Sequence, residues 1–101
     1  SGARVLSLYH NLRNINHTSE RFEKLAELEP QNKELFESCA YAFKALLKFR
    51  VRQGLRNDDS GRFIKLADLS KEERLKLKRC FKPLRDLQEV LRVRFQTQNL
   101  S

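Results

Sequence analysis

"QNKELFESCAYAFKALLKFRVRQG", residues 31–54, decides the architecture. Its apolar side chains Phe36, Cys39, Ala40, Phe43, Leu46, Leu47 and Val51 recur at spacings of three and four, which draws one stripe along a helix. No glycine interrupts the run before Gly54, which is therefore expected to stop it. A helix of this length with a single greasy stripe must lie against other helices, so it is predicted to be a central rod.

Upstream, Val5, Leu8 or Tyr9, Leu12 and Ile15 place an apolar stripe on a helix from about Ala3 to Arg13, with Asn14 and Asn16 as its interruption. Thr18 can cap a second, shorter helix, with Glu20 and Glu23 near its positive end and Phe22, Leu25 and Ala26 facing inward. Pro30 separates that helix from the rod. Downstream, Ser70 and Glu73 have the spacing of a capping box, in which a hydroxyl and a carboxylate each satisfy a main-chain amide at a helix start. Leu77, Leu84 and Leu91, interleaved with Cys80, Leu87 and Phe95, give a seam expected to lie along the rod. Pro83 predicts a kink near residues 79–83, and residues 96–101 are expected to fray.

Between the two long helices, Asp58, Asp59, Ser60 and Gly61 read as a turn rather than as a paired-carboxylate metal site. Phe63, Ile64, Leu66 and Leu69 are too apolar for a free loop and should pin the connection to the core. The expected fold is all-α, an antiparallel bundle of four or five helices with a long central helix and a long kinked last one. Residues 1–101 form a single domain.

Charge is unevenly placed. The chain carries 21 Lys and Arg against 13 Asp and Glu, a formal +8. Residues 1–43 hold five basic and six acidic side chains, residues 44–66 seven against two, and residues 67–101 nine against five. Such a field attracts nucleotides, nucleic acid and acidic protein surfaces alike, so it gives the sign of a partner and not its identity. No apolar run approaches the roughly 20 residues of a membrane span, and no segment reads as a signal peptide, so a soluble, cytoplasmic domain with no membrane partner is expected. Cys39 and Cys80 lie on apolar helix faces and read as small hydrophobes rather than a disulfide.

No catalytic constellation stands out. His10, His17 and the two cysteines lack any metal-ligand spacing, and there is no glycine-rich phosphate loop or nucleophile elbow. Arg4 and His10, with five residues between them, share the spacing of a ribonuclease motif, but surface positions on the first helix are the better reading. The basic residues of the rod are more informative. Lys44 with Lys48, and Arg52 with Arg56, are four apart and can form a positive ridge beside the seam. Arg50 points nearer the seam, where a guanidinium needs an anionic or carbonyl partner such as Asp86 or Glu89.

"FKALLKFRVRQ", "RFIKLADLSKEER" and "LKRCFKPLRDLQEVLRVRF", in that order, resemble the nucleotidyltransferase substrate-binding domain, and "ARVLSLYHNLRNINHTSERF" resembles the earlier part of the same domain. The most specific positions are Leu69, Ser70, Glu73, Arg74, Leu87, Gln88, Arg94 and Phe95. Two departures are visible: Lys71 stands where a proline commonly follows the capping serine, and Arg52 where a histidine commonly precedes Gln53. The first is minor for helix initiation, while the second weakens any acid-base role carried over to that position.

The resemblance implies a helical domain at the end of bacterial signalling proteins that also carry cyclic-nucleotide-binding, CBS and nucleotidyltransferase domains. The family domain begins some tens of residues upstream, so a fragment lacking its first part is expected. The adjacent transferase domain would supply metal-binding carboxylates for a nucleoside triphosphate and Mg, and this domain would form one wall of the cleft, with no cofactor of its own. Similarity to regulator uridylyltransferases implies a small acceptor protein. The expected function is non-catalytic substrate positioning, with Arg50, Arg52, Gln53 and Arg56 as the contact residues. The rival is a protein interaction or dimerisation module, here a homodimer. A nucleic-acid-binding reading has the right charge but no helix-turn-helix spacing or stacking set.

Overall fold

A computed structural model describes residues 2–59 and 64–100, with side chains over 6–59 and 64–98. The described residues form three α-helices and no strand: α1 (Gly2–Leu28), α2 (Lys33–Asn57) and α3 (Lys71–Leu100), with single 3-10 turns at Pro30–Asn32 and Leu66–Asp68. The all-α expectation holds, whereas the count of four or five helices does not. The molecule is elongated, 51 × 30 × 24 Å. Alpha2 is the shared partner, packed on α1 and on α3.

The count fell because Asn14, Asn16 and Thr18 do not break α1. Thr18 Oγ1 donates to the carbonyl of Asn14 at 2.9 Å, so the hydroxyl bonds back into its own helix instead of capping a new one. Leu8, Ile15 and Ala26 are buried, as is Ser19, and these positions keep one helical phase across the polar stretch. Two asparagines and a threonine cost a helix only a few tenths of a kcal/mol each, and continuous burial of that stripe outweighs them. Ser19 is wholly buried and donates to the carbonyl of Ala40 at 2.9 Å, which joins α1 to α2. Phe22 stacks on Phe36 and Phe43, with ring centroids 6.3 and 5.4 Å apart.

Alpha2 also passes its expected stop. Gly54 lies inside the helix, and its carbonyl accepts from the amides of Asp58 and Asp59. A glycine in a helix costs about 1 kcal/mol relative to alanine without ending it. The left-handed turn that does end it is made by Asp58, at φ 50° and ψ 51°, a residue type that tolerates this region. The Asp58, Asp59, Ser60, Gly61 turn is described only up to Asp59, and Ser60, Gly61 and Phe63 lie outside the described residues.

Phe49, Leu69 and Leu77 form the core between α2 and α3, with Leu46 and Ile64 against it. Ile64 and Leu69 thus pin the connection, while Leu66 faces outward. The predicted seam on α3 is only half covered: Leu77 is 4% exposed, Leu84 half-buried and Leu91 52% exposed, with Phe95 exposed too. A spacing of seven drifts by about 20° per heptad around a straight helix, so Leu91 has turned about 40° away from the line of Leu77. Pro83 stands inside α3, whose helical run continues through it and over residues 96–100.

Cys39 and Cys80 are free and buried. Cys39 Sγ donates to the carbonyl of Pro83 and Cys80 Sγ to that of Lys76, and burial pushes both thiols above the usual range. No described helix is long and apolar enough to cross a membrane.

Candidate functional site

The basic half of α2 meets α3 at a corner closed by hydrogen bonds. Ser70 and Glu73 form the capping box: the Ser70 amide donates to Glu73 Oε1 at 2.9 Å, and the Glu73 amide donates to Ser70 Oγ at 3.1 Å. These contacts, with Arg52 behind them, hold the Glu73 carboxyl below its ordinary range. Arg74 Nε donates to the carbonyl of Leu66 at 3.1 Å, and Asn57 Nδ2 to the Asp68 carboxylate at 3.2 Å.

The four expected contact residues all lie along this part of α2, and they have different employments. Gln53 is 1% exposed. Its Nε2 donates to the carbonyl of Lys65 at 2.7 Å and its Oε1 accepts the Lys65 amide at 2.6 Å, so the side chain pairs with the connection as a second strand would. Arg52 is exposed, with Nη1 donating to Glu73 Oε2 at 3.3 Å. Arg56 Nη1 donates to the carbonyl of Asp68 at 3.2 Å. Arg50 is half-buried; its two expected partners are engaged within α3, Asp86 by Lys82 and Glu89 by Arg92. The ridge expected from the spacing is also divided, because Lys44 reaches across to Glu23 of α1 at 2.6 Å.

Beside the corner an open groove runs between α2 and α3. It consists of a hollow of about 460 Å³ bounded by Lys44, Lys48, Phe49, Arg52, Glu72 and Lys76, and a second of about 490 Å³ bounded by Glu37, Ala42, Arg79, Cys80 and Pro83. Tyr41, Ala45 and Lys76 border both. Sequence reasoning found Lys44, Lys48 and Arg52 but missed Tyr41, Lys76 and Arg79. Tyr41 lies off the apolar stripe, and only the antiparallel register of α3 brings Lys76 and Arg79 opposite it. Among the described residues, no three His, Cys, Asp or Glu side chains converge on a point where a metal ion could sit, so they do not fit a magnesium site. His10 and His17 are exposed, and the Arg4 side chain lies outside the described residues.

Residues 1–95 match the family described as the putative nucleotidyltransferase substrate binding domain. The chain belongs to that family. No curated protein and no solved structure matches it. The family's name locates the interest in binding, yet the residues that carried the resemblance are mostly joints of the fold. Leu69 is core, Ser70 and Glu73 are the cap, and Arg74 holds the connection. Arg94 donates to both carboxylate oxygens of Glu29, tying α3 to the turn between α1 and α2 and drawing the Glu29 carboxyl below its usual range.

Proposed function

We propose that this chain is a non-catalytic helical domain that positions substrate for a nucleotidyltransferase domain of the same polypeptide. The observation that carries the reading is the family match over residues 1–95, which spans all three helices up to the last turn of α3. Chemistry in this reading belongs to the transferase domain, with its nucleoside triphosphate and Mg. Positioning is assigned here. Arg52, on the groove rim, is the strongest of the expected contact residues; Gln53 is committed to Lys65. The acceptor in this reading is a small protein, as in uridylyltransferase-like regulation, within a multidomain bacterial signalling protein in the cytoplasm.

The test is incorporation of labelled nucleotide. The purified chain is expected to incorporate none, whereas the parent polypeptide labels its acceptor. Chelator-sensitive incorporation by the chain alone would overturn the reading. One observation favours a second role as a self-association module: Leu91, Val93 and Phe95 are all exposed on the last turns of α3. Sedimentation that shifts with concentration, and no longer shifts in Leu91→Glu, would support it.

A further inference from the structure

The groove between α2 and α3 is longer than a small ligand needs. From Glu37 to Arg52 it follows 16 residues of α2, about 22 Å of helix. Its two hollows share Tyr41, Ala45 and Lys76, so they are one channel with an open side. A nucleotide laid there would fill one hollow and leave the other uncovered, whereas small-molecule sites enclose most of their ligand.

The floor and rims have separate chemistries. The accessible apolar surface of the channel comes from Tyr41, Ala45 and Leu47 on α2 and Pro83 on α3, above the buried Ala42, Phe49 and Cys80. Tyr41 stands over the middle of the channel and is 68% exposed. An amphipathic ring on such a rim is the usual anchor of a protein interface. Lys44 and Arg52 are engaged by Glu23 and Glu73, but Lys48, Lys76 and Arg79 are exposed and form no ion pair among the described residues. Against these three stand Glu37, which has Lys33 beside it at 3.9 Å, and Glu72 at the opposite end. Pro83 adds a further feature. Its ring nitrogen has no hydrogen, so the carbonyl of Arg79 loses its helical donor, and both residues border the channel.

We infer that this groove docks an acidic amphipathic helix of the acceptor protein, its apolar stripe on Tyr41, Ala45, Leu47 and Pro83 and its carboxylates against Lys48, Lys76 and Arg79. The inference rests on the substrate-positioning reading for calling that protein the acceptor, and the groove itself is tested without any transfer reaction.

The experiment is an amide-shift NMR titration of the whole chain with a synthetic helical peptide of about 18 residues, leucines on one face and glutamates on both flanks. A second peptide has lysines in place of the glutamates. Expected are shifts centred on Tyr41, Ala45, Lys48 and Lys76 with the acidic peptide, weakened by salt, and at least about tenfold weaker binding in Lys48→Glu/Lys76→Glu and in Tyr41→Ala. Lys48→Arg/Lys76→Arg should retain binding, so a loss confined to the reversal reports charge and not folding. No shifts at roughly 1 mM peptide, equal shifts with the lysine peptide, or shifts centred on Leu91 and Phe95 would overturn the inference. So would groove shifts given by uridine or adenosine triphosphate and not by the acidic peptide. Failure here leaves the labelling test standing, and labelling by the chain alone would remove the acceptor reading while leaving the groove's occupant intact.

Discussion

The two flanks of α2 are held by different physics. Toward α1 the contact is mostly area: Phe22 lies against Phe36 and Phe43, and the wholly buried Ser19 hydroxyl reaches Ala40. Toward the connection and the start of α3, the small apolar core of Phe49, Leu69 and Leu77 is supplemented by polar ties, with Gln53 on Lys65, Arg56 on Asp68, Arg74 on Leu66 and the Ser70–Glu73 box. Two long helices can bury enough surface to fix each other. A short connection cannot, and its main-chain groups must be satisfied individually once they leave water. The basic residues that look free in the sequence are partly consumed in that duty.

The sharpest way to break this contrast is Phe36→Ala. Phe36 is buried and stacked on Phe22, so truncation leaves a cavity between α1 and α2 and is expected to cost about 3–5 kcal/mol, read as a shift in the denaturation midpoint. A loss below about 1 kcal/mol would mean that the aromatic cluster can collapse and that area is not what joins these helices. Next in size is Gln53→Ala. It leaves the Lys65 amide without a partner and the Lys65 carbonyl with only the Asp68 amide, at an expected cost of about 1–3 kcal/mol. Hydrogen exchange separates the two variants: the Lys65 amide should lose protection far more in Gln53→Ala than the stability change alone accounts for. Equal protection in both would show that Gln53 is not its clamp.

Features of the sequence that act over three or four residues proved readable, and those that depend on distant partners did not. The capping box needed only Ser70 and Glu73, and the central rod only its own stripe. The polar interruption at Asn14–Thr18 was misread because local propensity favours a break there, while the packing that overrides it comes from Ala40 and Phe36 on another helix. Gly54 was misread for the related reason that the true stop is a left-handed aspartate, a conformation no spacing announces. At the candidate site, Arg52 of the expected ridge borders the groove, whereas Gln53 is buried. A buried glutamine that pairs with a main chain 12 residues away looks like an exposed one until the connection is seen to fold back.

A smaller effect sharpens the polar side of the comparison. Ser70→Ala removes the acceptor for the Glu73 amide and should cost about 1 kcal/mol. An unchanged midpoint would show that α3 is held at its start by the neighbouring ties from Arg74 and Arg56 instead of by its cap.

The smallest effect is a dependence on acid, and it compares the two ends of the molecule directly. Glu73 is held low chiefly by the Ser70 amide and hydroxyl, then by Arg52; Glu29 is held low chiefly by its hydrogen bond from Arg94. In both cases the folded carboxyl titrates below the usual 4.5, so the folded state binds fewer protons than the unfolded chain as the pH falls. The contribution is therefore complete above 4.5 and fades as the pH drops from there through the lowered folded value. Denaturation midpoints measured from about pH 7 down to about pH 3 should fall over that window. Glu73→Gln should remove the part due to Glu73, and Arg94→Gln the part due to Glu29. Because the two carboxylates sit at opposite ends of α3, the double variant should lose both parts additively. If the acid slope of each variant matched that of the unaltered chain, neither tie would be setting its carboxylate. The corner would then owe its hold to the Phe49–Leu69–Leu77 core, Gln53 and the remaining polar contacts.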